Sequence, residues 1–329
     1  MRKGLSKIIV TGGAGFIGSE FVRQAVKKGY KVAVIDSLTY AGDLERLKAV
    51  KGKIRFYKAD ICDKNKMYAI FNKERPECVV HFAAESHVDR SILDSSAFVR
   101  TNLQGTQILL DVSKALKVKR FLHLSTDEVY GDIEKGVFYE TTPLNPSSPY
   151  SATKAAADLL VKSYVRTFQF PAIIVRPSNN YGPWQYPEKF IPRAIMSVLK
   201  NAKIPVYAKG ANVREWLYVE DCARGIMAIL EKGKLGEVYN LGSGHERKNI
   251  DIAKKILKVM GKRENFIQFV KDRPGHDLRY RLDSKKTHRE IGWKPKINVE
   301  AGLKLTGAWC LVHKNWLFKK YSDVAKLYK

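Results

Sequence analysis

Cysteine is scarce. The four residues in 329, Cys62, Cys78, Cys222 and Cys310, are too scattered for a metal-ligand pair or a disulfide framework. Ordinary buried or half-buried thiols account for them, and no metal is expected. No apolar run approaches the length of a membrane span, and MRKGLSK leads into a strand without a long apolar signal region. Internal repeats and low-complexity tracts are also missing. The expectation is a soluble cytoplasmic protein, long enough for one large domain or two lobes.

Acidic residues are few as well, 33 against 59 basic, for a net charge of +26. Such an excess raises nucleic acid and acidic lipid as partners. The basic residues are spread along the chain, as in KALKVKR, KILKVMGKR and DSKKTHR, and no aromatic-interleaved basic motif gathers them. A basic solvated surface accounts for the charge, and neither nucleic acid nor membrane is expected. A nucleotide-sugar or phosphorylated substrate would also prefer a positive cleft.

What is present is alternation. LSKIIVTGGAGFIGSEFVRQAVKKGYKVAVIDS holds a strand from Lys7 to Thr11, a glycine-rich turn, a helix from Ser19 to Lys28, and a strand from Lys31 to Ile35 ending in Asp36. Gly12, Gly15 and Gly18 have the spacing for a tight turn, close approach to a pyrophosphate, and close helix–strand packing. The helix N-terminus adds unpaired N–H groups for an anion. Further strands are expected at Ile54–Ala59, Cys78–Phe82, Arg120–Leu124 and Ala172–Val175, with helices at Lys64–Lys73, Ser95–Leu116 and Pro149–Phe168. Strands alternating with such helices predict an α/β fold, a doubly wound parallel sheet of the Rossmann type.

Polar residues follow each strand: Asp36, Asp60, Ala83 to His87, Ser125 to Glu128, and Ser178 to Tyr181. They line one rim, the carboxyl end where such sheets bind ligands. After Arg176 the chain changes character, and PSNNYGPWQYPEKFIPR turns it toward a smaller C-terminal α/β lobe. Helices are expected there at Phe190–Leu199, Val219–Lys232, Ile250–Met260 and Val299–Lys319. Strands are expected at Ile204–Tyr207, Arg214–Tyr218, Val238–Leu241 and Phe266–Val270. The division is 1–176 for the dinucleotide domain, rejoined by parts of 214–240, and 177–329 mainly for substrate.

Tyr150 and Lys154 form a YSATK pentad whose spacing puts both on one helix face. A phenol is a poor base near its usual pKa of about 10, and a nearby cation favours its ionised form. Such a tyrosine can take a hydroxyl proton while hydride leaves the same carbon; a helix-surface pair is the plainer reading of the same spacing. Thr126, Asp127 and Glu128 place two adjacent carboxylates at a strand end. If their environments differ, one serves as acid and the other as base. Alternatively Glu128 caps or salt-bridges while Asp127 faces solvent.

The sequence resembles the extended short-chain dehydrogenases/reductases, and within them the dTDP-glucose 4,6-dehydratase family. The stretches that carry the resemblance are TGGAGFIGS, HFAAESHVDRS, STDEVYG, YSATKAAAD, RPSNNYGPWQYPEKFIP, REWLYVEDCARG, YNLGSG and RPGHDLRY. The resemblance implies a hydro-lyase that removes water from dTDP-glucose to give the 4-keto-6-deoxy sugar, with NAD tightly held and regenerated each cycle. Tyr150 would be the base at the 4-hydroxyl, aided by Thr126 and Lys154. Glu128 would remove the C5 proton and Asp127 would protonate the departing 6-hydroxyl. Gly12, Gly15, Phe16, Ile17 and Gly18 would surround the NAD pyrophosphate, with Asp36 on the adenosine ribose. Asp60 and Ile61 would flank adenine, and Ala83, Ala84, Ser86, Tyr150 and Lys154 the rest of the cofactor. His87 would support the sugar, and Asn179, Lys189, Tyr207, Arg214, Asn249, Arg273 and His276 would close over diphosphate and nucleoside. The helices near 95–116 and 150–168 resemble a family dimer interface, so a homodimer is expected.

Alternatives on the same scaffold are a UDP-glucose 4,6-dehydratase, a UDP-sugar 4-epimerase and a UDP-glucuronate decarboxylase. Epimerases usually lack the Asp-Glu pair. Trp184 and Phe190 stand where related dehydratases often have Tyr and Leu, and Glu215 where Asp is familiar.

Overall fold

The computed structural model describes residues 6–272 and 274–327. β1 (Lys7–Thr11), β2 (Lys31–Asp36), β3 (Ile54–Lys58), β4 (Cys78–His81), β5 (Arg120–Leu124) and β6 (Ala172–Pro177) lie parallel in one sheet. β7 (Asn179–Tyr181), β8 (Ile204–Tyr207) and β9 (Val213–Tyr218) lie outside it, and β10 (Val238–Leu241) returns to pair with β6. The seven-stranded order is β10-β6-β5-β4-β1-β2-β3. Strand order therefore reverses between β1 and β4, which opens the crevice where such sheets take ligands.

The sheet is covered on both faces, which is why its strands are apolar runs rather than alternating ones. Ile8 and Val10 share one core with Phe21 and Val22 of the Phe16–Lys27 helix and Ile226 and Leu230 of the Val219–Lys232 helix. Ile9 points the other way, to Phe71, Leu109 and Val161. Phe21 and Phe71 are fully buried, and truncating such a ring costs about 3–5 kcal/mol. A third core joins Ile191, Ile195, Trp216, Ile252, Leu303 and Leu317 in the C-terminal half. Here β11 (Glu246–Lys248) and β7 flank β9, and β12 (Ile267–Val270) pairs with β8.

Three expected helices differ in extent. The first starts at Phe16, not Ser19, with Gly15 as its N-cap; first-turn N–H groups need no partner four residues back, so glycine is tolerated there. The expected Ser95–Leu116 helix is interrupted by a π-helical stretch, Val99–Gln104, ahead of Gly105–Ala115. The expected Val299–Lys319 helix breaks at His313 into Val299–Val312 and Lys314–Leu327.

Candidate active site

The turn after β1 is fixed by contacts that leave no room for side chains. Gly12 has φ +69°, and a Cβ there would lie 2.5 Å from the Ala83 nitrogen. A Cβ on Gly18 would lie 2.2 Å from the Gly12 carbonyl oxygen. Gly15 N–H donates to that oxygen at 3.1 Å, and no side chain caps the helix that Phe16 and Ile17 begin. The helix start therefore keeps donors for a phosphate. A Gly18→Ala protein is expected to lose roughly 1–3 kcal/mol of stability and to release dinucleotide on gel filtration, read by thermal unfolding and absorbance.

Asp36 holds the same turn. Its Oδ2 accepts from Ala14 N–H at 2.9 Å and its Oδ1 from Leu38 N–H at 2.8 Å. Burial raises its carboxyl above the ordinary value, and those two backbone bonds offset part of the rise. Each oxygen keeps a lone pair for a ribose hydroxyl. Asp60 and Ile61 follow β3, yet Asp60 pairs with Arg100 at 2.7 Å and the Ile61 side chain is buried in the core. Ala83, Ala84 and Ser86 follow β4. The cradle and the remaining acceptor sites of Asp36 fit a dinucleotide.

The carboxylate pair lies at the end of β5. Thr126 caps a short 3-10 turn, Asp127–Tyr130, accepting from Glu128 N–H at 3.3 Å and donating to Asp127 Oδ1 at 3.2 Å. Asp127 does not face solvent: it is 1% exposed, and its Oδ2 has no hydrogen-bond partner among the described residues. Burial pushes its carboxyl well above the ordinary range, and the charges of Glu128 and Glu215 push it further. This favours the neutral acid form.

Tyr150 and Lys154 are buried rather than on a helix surface. The Tyr150 backbone N–H donates to Ser91 Oγ at 3.1 Å, and Lys154 Nζ donates to the Leu124 carbonyl at 2.6 Å. Burial raises the Tyr150 phenol, Glu128 raises it further, and the Thr126 hydroxyl offsets part of this. The expected lowering by the neighbouring cation is therefore not the resting condition of this phenol. Burial draws Lys154 down to about 8, with Asp158 opposing.

A cleft of about 190 Å³ brings Glu128 together with His87, Asn179, Lys189, Tyr207, Arg214, Asn249 and His276. Asn179 Oδ1 and Asn249 Oδ1 are buried without partners among the described residues, as suits a polar ligand. Lys189 Nζ donates to the Ser86 carbonyl at 2.6 Å, joining the two rims. Arg214 commits both terminal nitrogens to the carbonyls of Val213, Asp277 and Leu278 and lies 4.3 Å over the Tyr280 ring. His276 is bonded to Asp272 at 2.6 Å. Arg273 lies outside the described residues. A larger cavity of about 450 Å³ opens near Lys7, Lys31 and Arg55, at the opposite, amino end of the strands.

Residues 9–306 match the family described as GDP-mannose 4,6 dehydratase. The dTDP-glucose 4,6-dehydratase of Shigella flexneri is 46% identical over 94% of each chain. That of Neisseria meningitidis serogroup B is 44% identical over 95% of each. The crystal structure of DesIV, a dTDP-glucose 4,6-dehydratase from Streptomyces venezuelae with NAD and dTDP bound, superposes with a TM-score of 0.93. It is 43% identical, over 95% of this chain and 99% of that one. The chain belongs to the dTDP-glucose 4,6-dehydratase family. A UDP-glucose 4-epimerase from Thermotoga maritima shares the fold at TM-score 0.88 but only 32% identity, over 93% of this chain and 99% of that one.

As a member of the dTDP-glucose 4,6-dehydratase family, the chain has further site residues that motif reading passed over. Tyr280, inside RPGHDLRY, and Gln185 and Glu188, inside the PWQYPEKF loop, line the cleft; membership of those motifs was the available signal. Asn102 left none. The π-helical stretch turns it inward, where Oδ1 accepts from Glu85 N–H at 2.9 Å and Nδ2 donates to the Glu85 carbonyl at 3.0 Å. It thereby fixes the 83–86 segment, and such π turns are frequent at functional sites.

Proposed function

We propose that the protein removes water from dTDP-glucose to give dTDP-4-keto-6-deoxyglucose, as an NAD-dependent hydro-lyase. The observation that carries the chemistry is the buried Asp127 carboxyl held toward its neutral form beside Glu128 at the cleft. Family membership at 44–46% identity over nearly the whole chain supports the nucleotide sugar. Gly12, Gly15, Phe16, Ile17, Gly18 and Asp36 would hold NAD, with Ala83, Ala84 and Ser86 beside it and the backbone of Asp60 and Ile61 at its adenine end. Held there, NAD would supply the hydride acceptor for C4 of the sugar and the hydride donor for C6.

The residues divide the proton transfers. Tyr150 takes the 4-hydroxyl proton as C4 is oxidised, with Thr126 bonding the same oxygens. The resulting ketone acidifies the C5 hydrogen. Glu128 removes that proton, and Asp127 protonates the 6-hydroxyl so that water leaves; a proton then returns to C5. His87, Asn179, Lys189, Tyr207, Arg214, Asn249 and His276 enclose the rest of the nucleotide sugar. Turnover in deuterated water tests this reading. Deuterium at C5 of the product is expected, and a 4-epimer without C5 label would sink it.

Lys154 sets a pH limit. Its depressed value of about 8 means that its charge beside Tyr150, and with it kcat, declines as pH rises through that point. Stability moves oppositely. Between about 8 and the ordinary 10.5 the unfolded lysine binds its proton more fully than the native one, so stability rises with pH. A kcat profile and apoprotein melting across that window check both signs.

A cytoplasmic homodimer completes the proposal. Val99, Leu159 and Phe168 are exposed, at 46%, 57% and 49%, on the segments expected to pair. Sedimentation velocity should give twice the chain mass. The four scattered thiols, all free, support a reducing compartment, and no helix among the described residues is long and apolar enough to cross a membrane.

A further inference from the structure

Two residues outside the chemistry are held in an unusual way. Trp184 has φ +70°, a conformation that strains a bulky residue. Arg46 is 1% exposed, and burying a guanidinium is tolerated only when its donors are satisfied. They meet: Arg46 Nε and Nη2 donate to the Trp184 carbonyl at 3.1 and 2.9 Å.

The same guanidinium reaches the dinucleotide turn. Its Nη1 donates to the Ala14 carbonyl at 2.9 Å and also to the Ala41 carbonyl. Ala14 is gripped on its other side by Asp36, and its oxygen also accepts from Asp43 N–H at 3.0 Å. Trp184 begins the loop that carries Gln185, Glu188 and Lys189 into the sugar-nucleotide cleft. The far end of that loop is tied to the dinucleotide side too, by Tyr40 donating to Glu188 at 3.1 Å and Lys189 to Ser86.

The C-terminal helices close over this junction. The Trp184 ring packs against Trp309, His313 and Trp316 with centroids 4.8, 5.3 and 5.3 Å away. Trp316 also lies 5.5 Å from the Arg46 guanidinium and donates its indole N–H to Asp43 at 2.8 Å. The break at His313 is what lets both tryptophans face Trp184.

We propose that Arg46 is a positioning residue that couples the dinucleotide turn to the substrate loop, with Trp316 sealing the junction. Ala14 and Trp184 share one rigid planar donor, so ordering the turn around its ligand also orders the loop. Binding at either site then favours the other, and reciprocally so. The inference rests on the nucleotide-sugar reading above.

Equilibrium dialysis of the full chain against NAD, with and without saturating dTDP, tests it. In the unsubstituted protein dTDP is expected to tighten NAD by a factor within about 5–150, the usual span of such coupling. Arg46→Lys, which keeps a cation but cannot fork onto the Trp184 carbonyl, should bind both ligands with that factor near one. Its KM for dTDP-glucose should rise by a similar factor while kcat changes little. Trp316→Phe, which loses the bond to Asp43 and part of the ring that packs on Trp184 and Arg46, should weaken the coupling and carries the test if Arg46→Lys does not fold. Full coupling in the folded variants, or none in the unsubstituted protein, overturns the proposal. An unsubstituted chain that binds NAD but neither dTDP nor UDP overturns the nucleotide-sugar reading and this coupling with it.

Discussion

Replacing Tyr150 with Phe lowers kcat by about 10²–10⁴-fold, the usual range for losing a positioned general base. Phenylalanine keeps what the ring does structurally. The backbone N–H still reaches Ser91 Oγ, and the ring still meets Phe98 edge-on at 6.4 Å between centroids. Only the phenol oxygen is removed. Bound NAD and affinity for dTDP should therefore persist, while reduction of the nicotinamide in a single turnover disappears. A variant that still reduces its cofactor at the original rate would remove Tyr150 from the oxidation step.

Asp127→Asn should separate oxidation from water loss. The amide fills the same space but has no proton to give the 6-hydroxyl, and losing a general acid costs about 10²–10⁴-fold on the step it serves. Cofactor reduction should therefore remain fast while elimination stalls, so that reduced nicotinamide accumulates during turnover. Equal slowing of both steps would contradict the acid assignment. The same change is expected to raise the melting temperature at neutral pH. With the native carboxyl raised well above the ordinary value, the folded state binds more protons than the unfolded one in the intervening window. Stability then falls as pH rises through it, and asparagine escapes that loss. A variant more stable and less active is the signature of a group retained for chemistry.

The sheet was legible because a strand buried on both faces must be an apolar run. Lys7–Thr11, Arg120–Leu124 and Val238–Leu241 have their expected limits. The glycine turn was legible because its spacing reports backbone approach. Other features depend on contacts distant in sequence. The π turn that brings Asn102 inward keeps a nearly helical pattern, and its bonds to Glu85 and Thr153 hold it there. The break at His313, around which three aromatic rings meet Trp184, has no local signal. Leu44–Lys53, the 3-10 segment that supplies Arg46, mixes lysines with few apolar residues and gave no usable period. Among the site residues, the sequence offered Asp127 either as one of an acid–base pair or as a solvent-facing side chain. Burial excludes the solvent-facing reading. It also reversed the simple view of Tyr150, whose phenol is raised by its surroundings although a lysine follows one turn later.

The central claim is that the Asp127–Glu128 pair turns an oxidised nucleotide sugar toward loss of water. The most direct test is to incubate the purified protein with dTDP-glucose and, separately, UDP-glucose, and to identify the products by mass and NMR. The account predicts a 4-keto-6-deoxy sugar, formed faster from dTDP-glucose, with no net consumption of NAD. Formation of dTDP-galactose, or no keto sugar from either substrate, would contradict it.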